Sequence, residues 1–304
     1  MSRRGLAAKG VAMGPYAVTS SEFDRLPLAR WGELAGELEA TGFGALWLPE
    51  VLGRDAFTTA QVALASTERI VVASGVARAL ERVPKSAAAA QRSLWEAYPG
   101  RYLLGLGVSP ASRERGQGPL PFLRDYLAEM DRTDLGFPGG EARPPRVIGA
   151  YSEGLMRLAG THANGLLTVL VPPRHTAWAR SLLGPEPFLA VSQWVSLETD
   201  RSAAYAGARQ ALDYYLGLPH QLRKFRALGF DEADLARPGS DRLLESVLAW
   251  GSVDAVRDRL EAHLEAGADQ VVLGAIAPSV RERLDVLRTL AGALLDFERV
   301  GGKP

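Results

Sequence analysis

The sequence predicts a single α/β domain folded as a TIM (β/α)8 barrel, and three observations support this prediction. About eight short apolar runs alternate with helical segments along the 304 residues. The runs are nearly continuous in apolar residues, which is typical of parallel strands covered on both faces. The segment LEATGFGALWL at 38–48 is echoed by LEAGADQVVL at 264–273, and each reads as a helix end, a glycine and a buried strand. Barrels of this class reach this length as one domain, so we expect one unit over 1–304.

The composition is that of an ordinary globular protein and excludes several functions. The chain is 47% hydrophobic and 23% charged, with 35 basic residues, 35 acidic residues and no cysteine. The lack of cysteine excludes disulfides, thiolate metal sites and a cysteine nucleophile. No charge run indicates binding to nucleic acid or to a membrane surface. The amino terminus MSRRGLAAKG lacks the apolar core of a signal peptide, and no stretch approaches a membrane span, so we expect a soluble cytoplasmic protein.

The clearest βαβ unit sets the pattern for the rest of the chain. It consists of a buried strand at 70–76, an alanine-rich helix that ends at Pro99-Gly100, and a second buried strand at 102–106. In α/β proteins the loops that follow parallel strands build the functional site. Residues 75–77 and 107–110 are therefore the first places to look.

The remaining elements follow the same alternation. The eight predicted strands are 10–18, 44–48, 70–76, 102–106, 146–150, 166–171, 188–195 and 270–276. Helices are predicted at 28–40, 57–68, 153–159 and 175–183. Near the carboxyl terminus, Ser252 is the expected cap of one helix, and Ser279 with Glu282 forms a capping box for the last.

Two stretches interrupt the alternation. Residues 112–145 predict an extended loop after strand four, with only a short helix at 122–131 inside it. Long loops of this kind are lids, binding loops or tolerated surface insertions, and the sequence does not choose between these. Residues 200–250 predict a helical insertion after strand seven, broken at Pro219 and at Pro238-Gly239.

The pattern of histidines gives no indication of a metal site. The four histidines, His162, His175, His220 and His263, form no H-E-x-x-H or other ligand spacing. For His162 and His263 we expect a surface position or an internally satisfied ring rather than a ligand.

The loop after strand four argues against two other chemistries. Gly107-Val108-Ser109-Pro110 resembles a nucleophile elbow, but Pro110 removes a backbone N–H that an oxyanion hole would use. No phosphate-binding glycine loop occurs. Gly105 and Gly107 indicate either close approach of a flat ligand or tight packing inside the barrel.

These same residues resemble the luciferase-like monooxygenase superfamily, in particular its actinobacterial branch of coenzyme F420-dependent oxidoreductases. The resemblance covers almost the whole chain and is clearest in TGFGALWLPEVLGRDAF, STERIVVASGVARALERVP, AYPGRYLLGLGVS and LEAGADQVVL. It implies a TIM barrel, usually dimeric, that binds F420 or FMN at the carboxyl end of the strands. The implied chemistry is hydride transfer, or oxygen activation in the flavin branch.

The resemblance also assigns site residues by position. Gly75-Val76 falls where the family has a non-prolyl cis peptide behind the cofactor ring, and Trp47 falls at the mouth of strand two. The other implied cofactor contacts are Gly107, Val108 and Ser109 near the ring and Ser152, Glu153 and Gly154 at the phosphate. Glu50 and Tyr151 are the predicted catalytic residues if protons move, although a structural hydrogen bond is an equal alternative for Glu50.

Several positions depart from the family pattern. Pro110 and Val51 stand where many relatives carry proton-handling side chains, and Glu153 would repel a phosphate that a cation usually binds. Three hypotheses follow. The first is an F420-dependent oxidoreductase acting on a small or medium organic substrate. The second is a barrel that has lost F420 and FMN and acts as a cofactor-free enzyme, for example in natural-product biosynthesis, or as a binding or partner subunit. The third is an enzyme that uses FMN in place of F420.

Overall fold

The computed structural model describes residues 4–7, 9–19, 21–51, 53–108, 116–140 and 142–301. The strands are β1 Tyr16–Thr19, β2 Ala45–Leu48, β3 Val71–Ser74, β4 Ala77–Arg78, β5 Tyr102–Gly107, β6 Arg146–Gly149, β7 Gly165–Val169, β8 Phe188–Ser196, β9 Leu248–Trp250 and β10 Gln270–Ala275. The helices are α1 Arg4–Ala7, α2 Leu28–Ala40, α3 Ala56–Ala65, α4 Pro84–Ala97, α5 Pro119–Arg132, α6 Glu153–His162, α7 Pro173–Leu183, α8 Arg201–Leu216, α9 Pro219–Ala227, α10 Glu232–Leu235, α11 Asp241–Val247, α12 Val253–Glu265 and α13 Val280–Gly301.

Eight parallel strands close into a barrel, in the order β10, β1, β2, β3, β5, β6, β7, β8 and back to β10. The short strand β4 pairs with β5, and β9 pairs with the end of β8. The predicted TIM-barrel fold class is therefore confirmed. In a closed barrel the carboxyl ends of all eight strands meet around one opening, which we call the mouth.

The barrel interior is filled by side chains from alternate strand positions. Ala45 and Trp47 of β2 point inward, whereas Leu46 and Leu48 face the helices. Trp47 is only 1% exposed, and its indole N–H donates to Gln270 Oε1 at 2.8 Å. Complete burial of an indole is favourable only when its N–H finds such a partner. The interior is thus a packed core rather than a channel.

The helix predicted at 122–131 within the loop after strand four is present and is longer than expected. Residues 119–132 form the 14-residue helix α5, which buries Leu123, Leu127 and Met130 between α4 and α6. It is one of the helices that surround the barrel. Pro119 lies in the first turn of α5, where the N–H that proline lacks would have no intrahelical acceptor. Ser109 and the following residues to 115 lie outside the described residues.

The predicted helical insertion at 200–250 is present as α8 to α11, followed by β9. Its core, which includes Leu212 and Phe225, packs on Leu170 and Trp194 from the carboxyl-terminal halves of the β7 and β8 segments. Arg174 of α7 also donates to the carbonyl of Leu228, just after α9, at 2.6 Å. The insertion is therefore anchored beside the mouth of the barrel.

Candidate functional site

The wall of the mouth between β3 and β6 is made of glycine backbone and one valine side chain. The Gly75–Val76 peptide is cis, as the family resemblance implied. The isopropyl group of Val76 lies against Gly107 and Gly149, and a Cβ at Gly149 would come within 2.8 Å of Val76 Cγ1. A Cβ at Gly107 would collide with the same side chain. These two glycines are required by the close approach of Val76.

Strand β5 contains a second glycine that the packing explains. A Cβ at Gly105 would collide with the backbone carbonyl of Ser74, and the Ser74 hydroxyl bridges the Gly105 amide and carbonyl at 2.9 Å each. Of the two interpretations left open by the sequence, tight packing inside the barrel therefore accounts for both Gly105 and Gly107.

Trp47 lies beneath this wall. A Cβ at Gly75 would be 3.2 Å from Trp47 Cε3, so the indole supports the Gly75 backbone from the barrel interior. With 1% of its surface exposed, Trp47 acts as a floor to the mouth and offers no open face to a ligand in this structure.

Glu50 is held by four donors. Its carboxylate accepts hydrogen bonds from the backbone N–H groups of Ala56 at 3.0 Å and Arg78 at 2.6 Å. It also accepts hydrogen bonds from both terminal nitrogens of the Arg82 guanidinium. Arg82 also pairs with Asp55 at 3.0 Å. Burial lowers the pKa of Arg82, but the carboxylates of Glu50 and Asp55 outweigh this effect and hold that pKa above its ordinary value. The arrangement favours the structural alternative for Glu50, because its acceptor sites are already used.

The predicted phosphate segment begins helix α6. Ser152 is the N-cap residue but makes no side-chain capping bond, so the first-turn amides are left to other acceptors. Ser152 and Glu153 are exposed, and the Glu153 carboxylate pairs with Arg157 at 2.8 Å within the same helix. A Cβ at Gly154 would be 3.1 Å from Leu120 Cδ2, which explains the small residue there. Val108 is half-buried against the outer core.

The structure brings to Tyr151 three basic residues that the sequence did not assign to the site, and we call them the basic cluster: His175, His220 and Lys224. Tyr151 stacks on His220 of α9, with ring centroids 6.4 Å apart and planes 20° apart. The His175 ring is hydrogen-bonded to the backbone of Tyr151. Lys224 is 2% exposed and donates to the carbonyl of Val169, the last residue of β7, at 2.9 Å.

Burial dominates the electrostatics of the basic cluster. It lowers the pKa of Lys224 to about 7. It also lowers the pKa of His175 to about 4, with a further contribution from the nearby Lys224 charge. The pKa of His220 is lowered by burial and then by Lys224 and Arg223. Buried amines and imidazoles favour the neutral form because a low-dielectric surrounding penalises the charge.

A contrasting chain of buried polar groups lies farther out. His263 is fully buried between Thr176 Oγ1, at 2.8 Å from Nδ1, and Gln193 Oε1, at 2.9 Å from Nε2. Burial lowers its pKa to about 3, and Arg259 and His175 add to that effect. The expectation of a satisfied histidine at this position is confirmed.

The basic cluster left only a weak signal in the sequence. In the sequence, His175 and His220 were considered only as possible metal ligands. Among the described residues, no group of three or more His, Asp or Glu could hold a metal. Lys224 lies in LPHQLRKFRALGF, where a lysine on an amphipathic helix ordinarily faces solvent. The distinguishing feature is that Lys224 shares the buried face of α9 with Phe225, which only the packing reveals.

A cavity of about 330 Å³ lies beside the start of β6, at the end of the barrel opposite the mouth. Its arginines serve the fold: Arg92 donates to the carbonyls of Thr133 and Met130, and Arg146 forms a bidentate pair with Asp131. This cleft is polar and far from the mouth, so it is a poor candidate for the functional site.

Within the described ranges, no helix is long and apolar enough to cross a membrane.

Comparison with known proteins gives consistent results. The model of the family described as luciferase-like monooxygenase matches residues 11–270. A Mycobacterium tuberculosis protein, by its name a coenzyme F420-dependent oxidoreductase, is 26% identical over 329 aligned positions, covering 82% of this chain and 94% of the relative.

Two solved structures share the fold. An F420-dependent secondary alcohol dehydrogenase in complex with an F420-acetone adduct superposes with a TM-score of 0.68 at 17% identity, covering 93% of this chain and 99% of the other. The oxygenating constituent of 3,6-diketocamphane monooxygenase from Pseudomonas putida, in complex with FMN, gives 0.66 at 17% identity, covering 92% and 97%.

Proposed function

The chain belongs to the luciferase-like monooxygenase family of enzymes, and we propose that it is an F420-dependent oxidoreductase that transfers a hydride between the deazaflavin and a small or medium organic substrate. The choice of F420 over FMN is supported by the M. tuberculosis relative, whose name states F420 dependence and which is similar over 82% of this chain. Solved structures of the same fold include proteins bound to either cofactor, so the fold alone does not choose between them.

The observation that carries the proposal is the wall of glycine backbone and one valine side chain at the mouth, next to the start of α6. Gly75 and Val76 are half-buried there, and the apolar Val76 side chain covers Gly107 and packs on Gly149. Apolar, flat surfaces suit an aromatic ring system. At the end of that wall, the first-turn amides of α6 lack a side-chain cap, and a helix amino terminus favours an anion.

The residues present fit a deazaflavin with a phosphate-bearing tail. Gly75 and Val76 would back the ring, and the amides of Ser152 to Gly154 would bind the phosphate. Glu153 opposes an anion there, but its charge is balanced by Arg157 one turn later. When bound, the cofactor would supply the hydride-carrying carbon.

The chain's own residues orient the reactants and handle protons. Tyr151 and His220, both half-buried, form the accessible edge of the mouth beside α6. Of the two predicted catalytic residues, Tyr151 retains that role in the proposal. Glu50 is proposed as a positioning residue that fixes Arg82, the start of α3 and the backbone at Arg78.

The test is an equilibrium titration of the purified protein with F420 and, separately, with FMN, followed by fluorescence. We expect F420 to bind with a Kd of about 1 μM and more tightly than FMN. Tighter binding of FMN would replace the cofactor in the proposal. Binding of neither would contradict it and favour the barrel that has lost its cofactor.

A variant locates the ring. Gly107→Ala adds a methyl group that forces the Val76 side chain toward the mouth, so F420 affinity should fall at least about tenfold. The double variant Gly107→Ala with Val76→Ala should recover most of the affinity. Gly292→Ala, where nothing lies within 4 Å of the added Cβ, is the matched control. Unchanged affinity in folded Gly107→Ala would contradict the placement.

A further inference from the structure

The contacts of the basic cluster join four elements at the mouth. Tyr151, which follows β6, holds His220 by stacking and His175 by its backbone. His220 and Lys224 are four residues apart on α9 and therefore lie on the same face of that helix. Lys224 donates a hydrogen bond to the Val169 carbonyl at the end of β7. All three basic side chains thus surround one location.

Among the described residues no carboxylate compensates the charge at this location, and Lys224 Nζ lies 4.3 Å from the centroid of the Phe225 ring. In the described part of the chain, no Asp or Glu forms an ion pair with Lys224. The groups that act on His175 and His220 are also cationic, namely Lys224 for both and Arg223 for His220. An ammonium group has three donors, and one of them is used on Val169. Burying such a group without a counter-ion is costly, so a retained one needs an explanation.

Two further features mark the same location. His175 is 4% exposed, and its Nδ1 atom has no hydrogen-bond partner among the residues that the structure describes. Leu170, directly after Val169, has a φ of 53°, a conformation that is unfavourable for leucine. Unsatisfied buried polar atoms and left-handed non-glycine residues concentrate at functional sites.

We propose that Lys224, His220 and His175 form a subsite that binds an oxyanion, the phosphate or carboxylate group of a ligand held at the barrel mouth. A phosphate or carboxylate oxygen would accept from the unused Lys224 donors and from protonated His220, and it would supply the missing negative charge. The assignment deepens the proposed function and rests on it for the position of the ligand. It also gives the insertion a role, because α9 supplies two of the three side chains.

The first experiment tests the subsite without any cofactor. Inorganic phosphate is titrated into the full-length protein at about pH 6, below the pKa of about 7 to which burial lowers Lys224, so that its ammonium group is charged. Binding is followed by calorimetry and by the His220 imidazole signals in NMR spectra. We expect saturable binding, with the His220 pKa raised by the bound anion.

Variants assign that binding to the cluster. Lys224→Met keeps the length and packing of the side chain and should weaken phosphate binding at least about tenfold. His220→Gln, at a half-buried position, gives a second variant that retains the fold and should also weaken it. Arg226→Gln, on the same helix but exposed and paired with Glu232, is the control and should change little. Phosphate binding that is absent, or unaffected in both cluster variants, would overturn the proposal, whatever F420 does.

A second comparison identifies the source of the oxyanion. F420 and the corresponding deazaflavin riboside without the phosphate tail are titrated into wild type and Lys224→Met. If the oxyanion is the cofactor's phosphate, the variant should lose affinity for F420 and keep that for the riboside. If both affinities are unchanged while phosphate binding is lost, the oxyanion belongs to the substrate, which is then an acid. If F420 fails to bind wild type but phosphate binds through Lys224, the subsite holds and the proposed function fails.

Discussion

Two groups of buried charges lie at the same end of the barrel, and they are compensated in opposite ways. At the end of β2, Glu50 is 7% exposed and meets Arg82, two backbone amides and, through Arg82, Asp55. At the end of β7, Lys224 is 2% exposed and contacts one backbone carbonyl and the Phe225 ring, with two further basic groups beside it. The first group is complete within the chain, and the second requires something from outside.

The difference separates structural charges from those available to a ligand. A buried charge with all its partners stabilises the fold only modestly, but removing one partner is expensive. A buried charge without partners lowers stability and persists when a bound ligand compensates it. The four predictions that follow test this contrast.

The largest effect is expected at Glu50. Glu50→Gln leaves the buried Arg82 guanidinium without its main counter-charge, so the free energy of unfolding should fall by about 3–5 kcal/mol. Urea unfolding at pH 7 measures it. A folded variant of unchanged stability that had lost only turnover would instead make Glu50 a catalytic residue.

A smaller effect is expected from the buried histidines in acid. Because the pKa values of His175 and His263 fall to about 4 and about 3, below the ordinary 6.5, the unfolded chain binds protons that the folded chain does not. The stability that these groups contribute is therefore present above pH 6.5 and is lost as the pH falls toward 4. Between about pH 7 and pH 5 the loss should be about 2–3 kcal/mol.

Urea midpoints at the two pH values measure this loss. Substituting either histidine by glutamine, which does not titrate, should remove about half of it. The exposed His162 provides the control, and His162→Gln should leave the pH dependence as it was. Equal stability of wild type at both pH values would show that the rings are not held neutral.

Above pH 7, removal of Lys224 should affect stability in the opposite direction to removal of the Glu50 charge. Its pKa is lowered by burial from 10.5 to about 7, so between these values the unfolded chain is protonated and the folded chain is not. Stability should therefore rise by about 1–2 kcal/mol from about pH 7 to pH 9. Lys224→Met should abolish the rise and should be at least as stable as wild type at pH 7. A variant that is several kcal/mol less stable would mean that Lys224 is structural.

The smallest effect is expected at the exposed pair on α6. Glu153 and Arg157 are both more than half exposed, so Glu153→Gln should change the free energy of unfolding by less than about 0.5 kcal/mol. The same substitution removes a negative charge from the first turn of α6, so F420 should bind a few-fold more tightly, at most about tenfold. Weaker binding in the variant would place the phosphate elsewhere.

The sequence predicted the barrel because apolar periodicity is a local signal. The strands around Trp47 and Leu104 are identifiable from their own residues, and the cap at Ser252 and the box at Ser279 are present as expected. Helix α5 was predicted at 122–131, but its start three residues earlier, at Pro119, was not, although proline suits a first helical turn.

The candidate site was harder to predict because its chemistry depends on contacts between distant residues. The family resemblance located Gly75-Val76 and the start of α6, but it could not show that Glu50 is surrounded by donors from α3 and Arg82. Nor could it show that Lys224 is buried, since a lysine on an amphipathic helix is exposed in most proteins. Both facts appear only when segments about 30 to 60 residues apart are brought together.

The most direct test is thermal unfolding of wild type, Glu50→Gln and Lys224→Met, each with and without saturating F420. Because Glu50 is part of a group of charges that is complete within the chain, Glu50→Gln should have a lower Tm and an F420-induced rise in Tm close to that of wild type. For Lys224→Met, the lack of a carboxylate partner predicts a Tm at least as high as wild type and, with the cofactor's phosphate as the oxyanion, a much smaller rise with F420. The reverse pattern, in which Lys224→Met loses stability and keeps its rise while Glu50→Gln loses only the rise, would contradict the account.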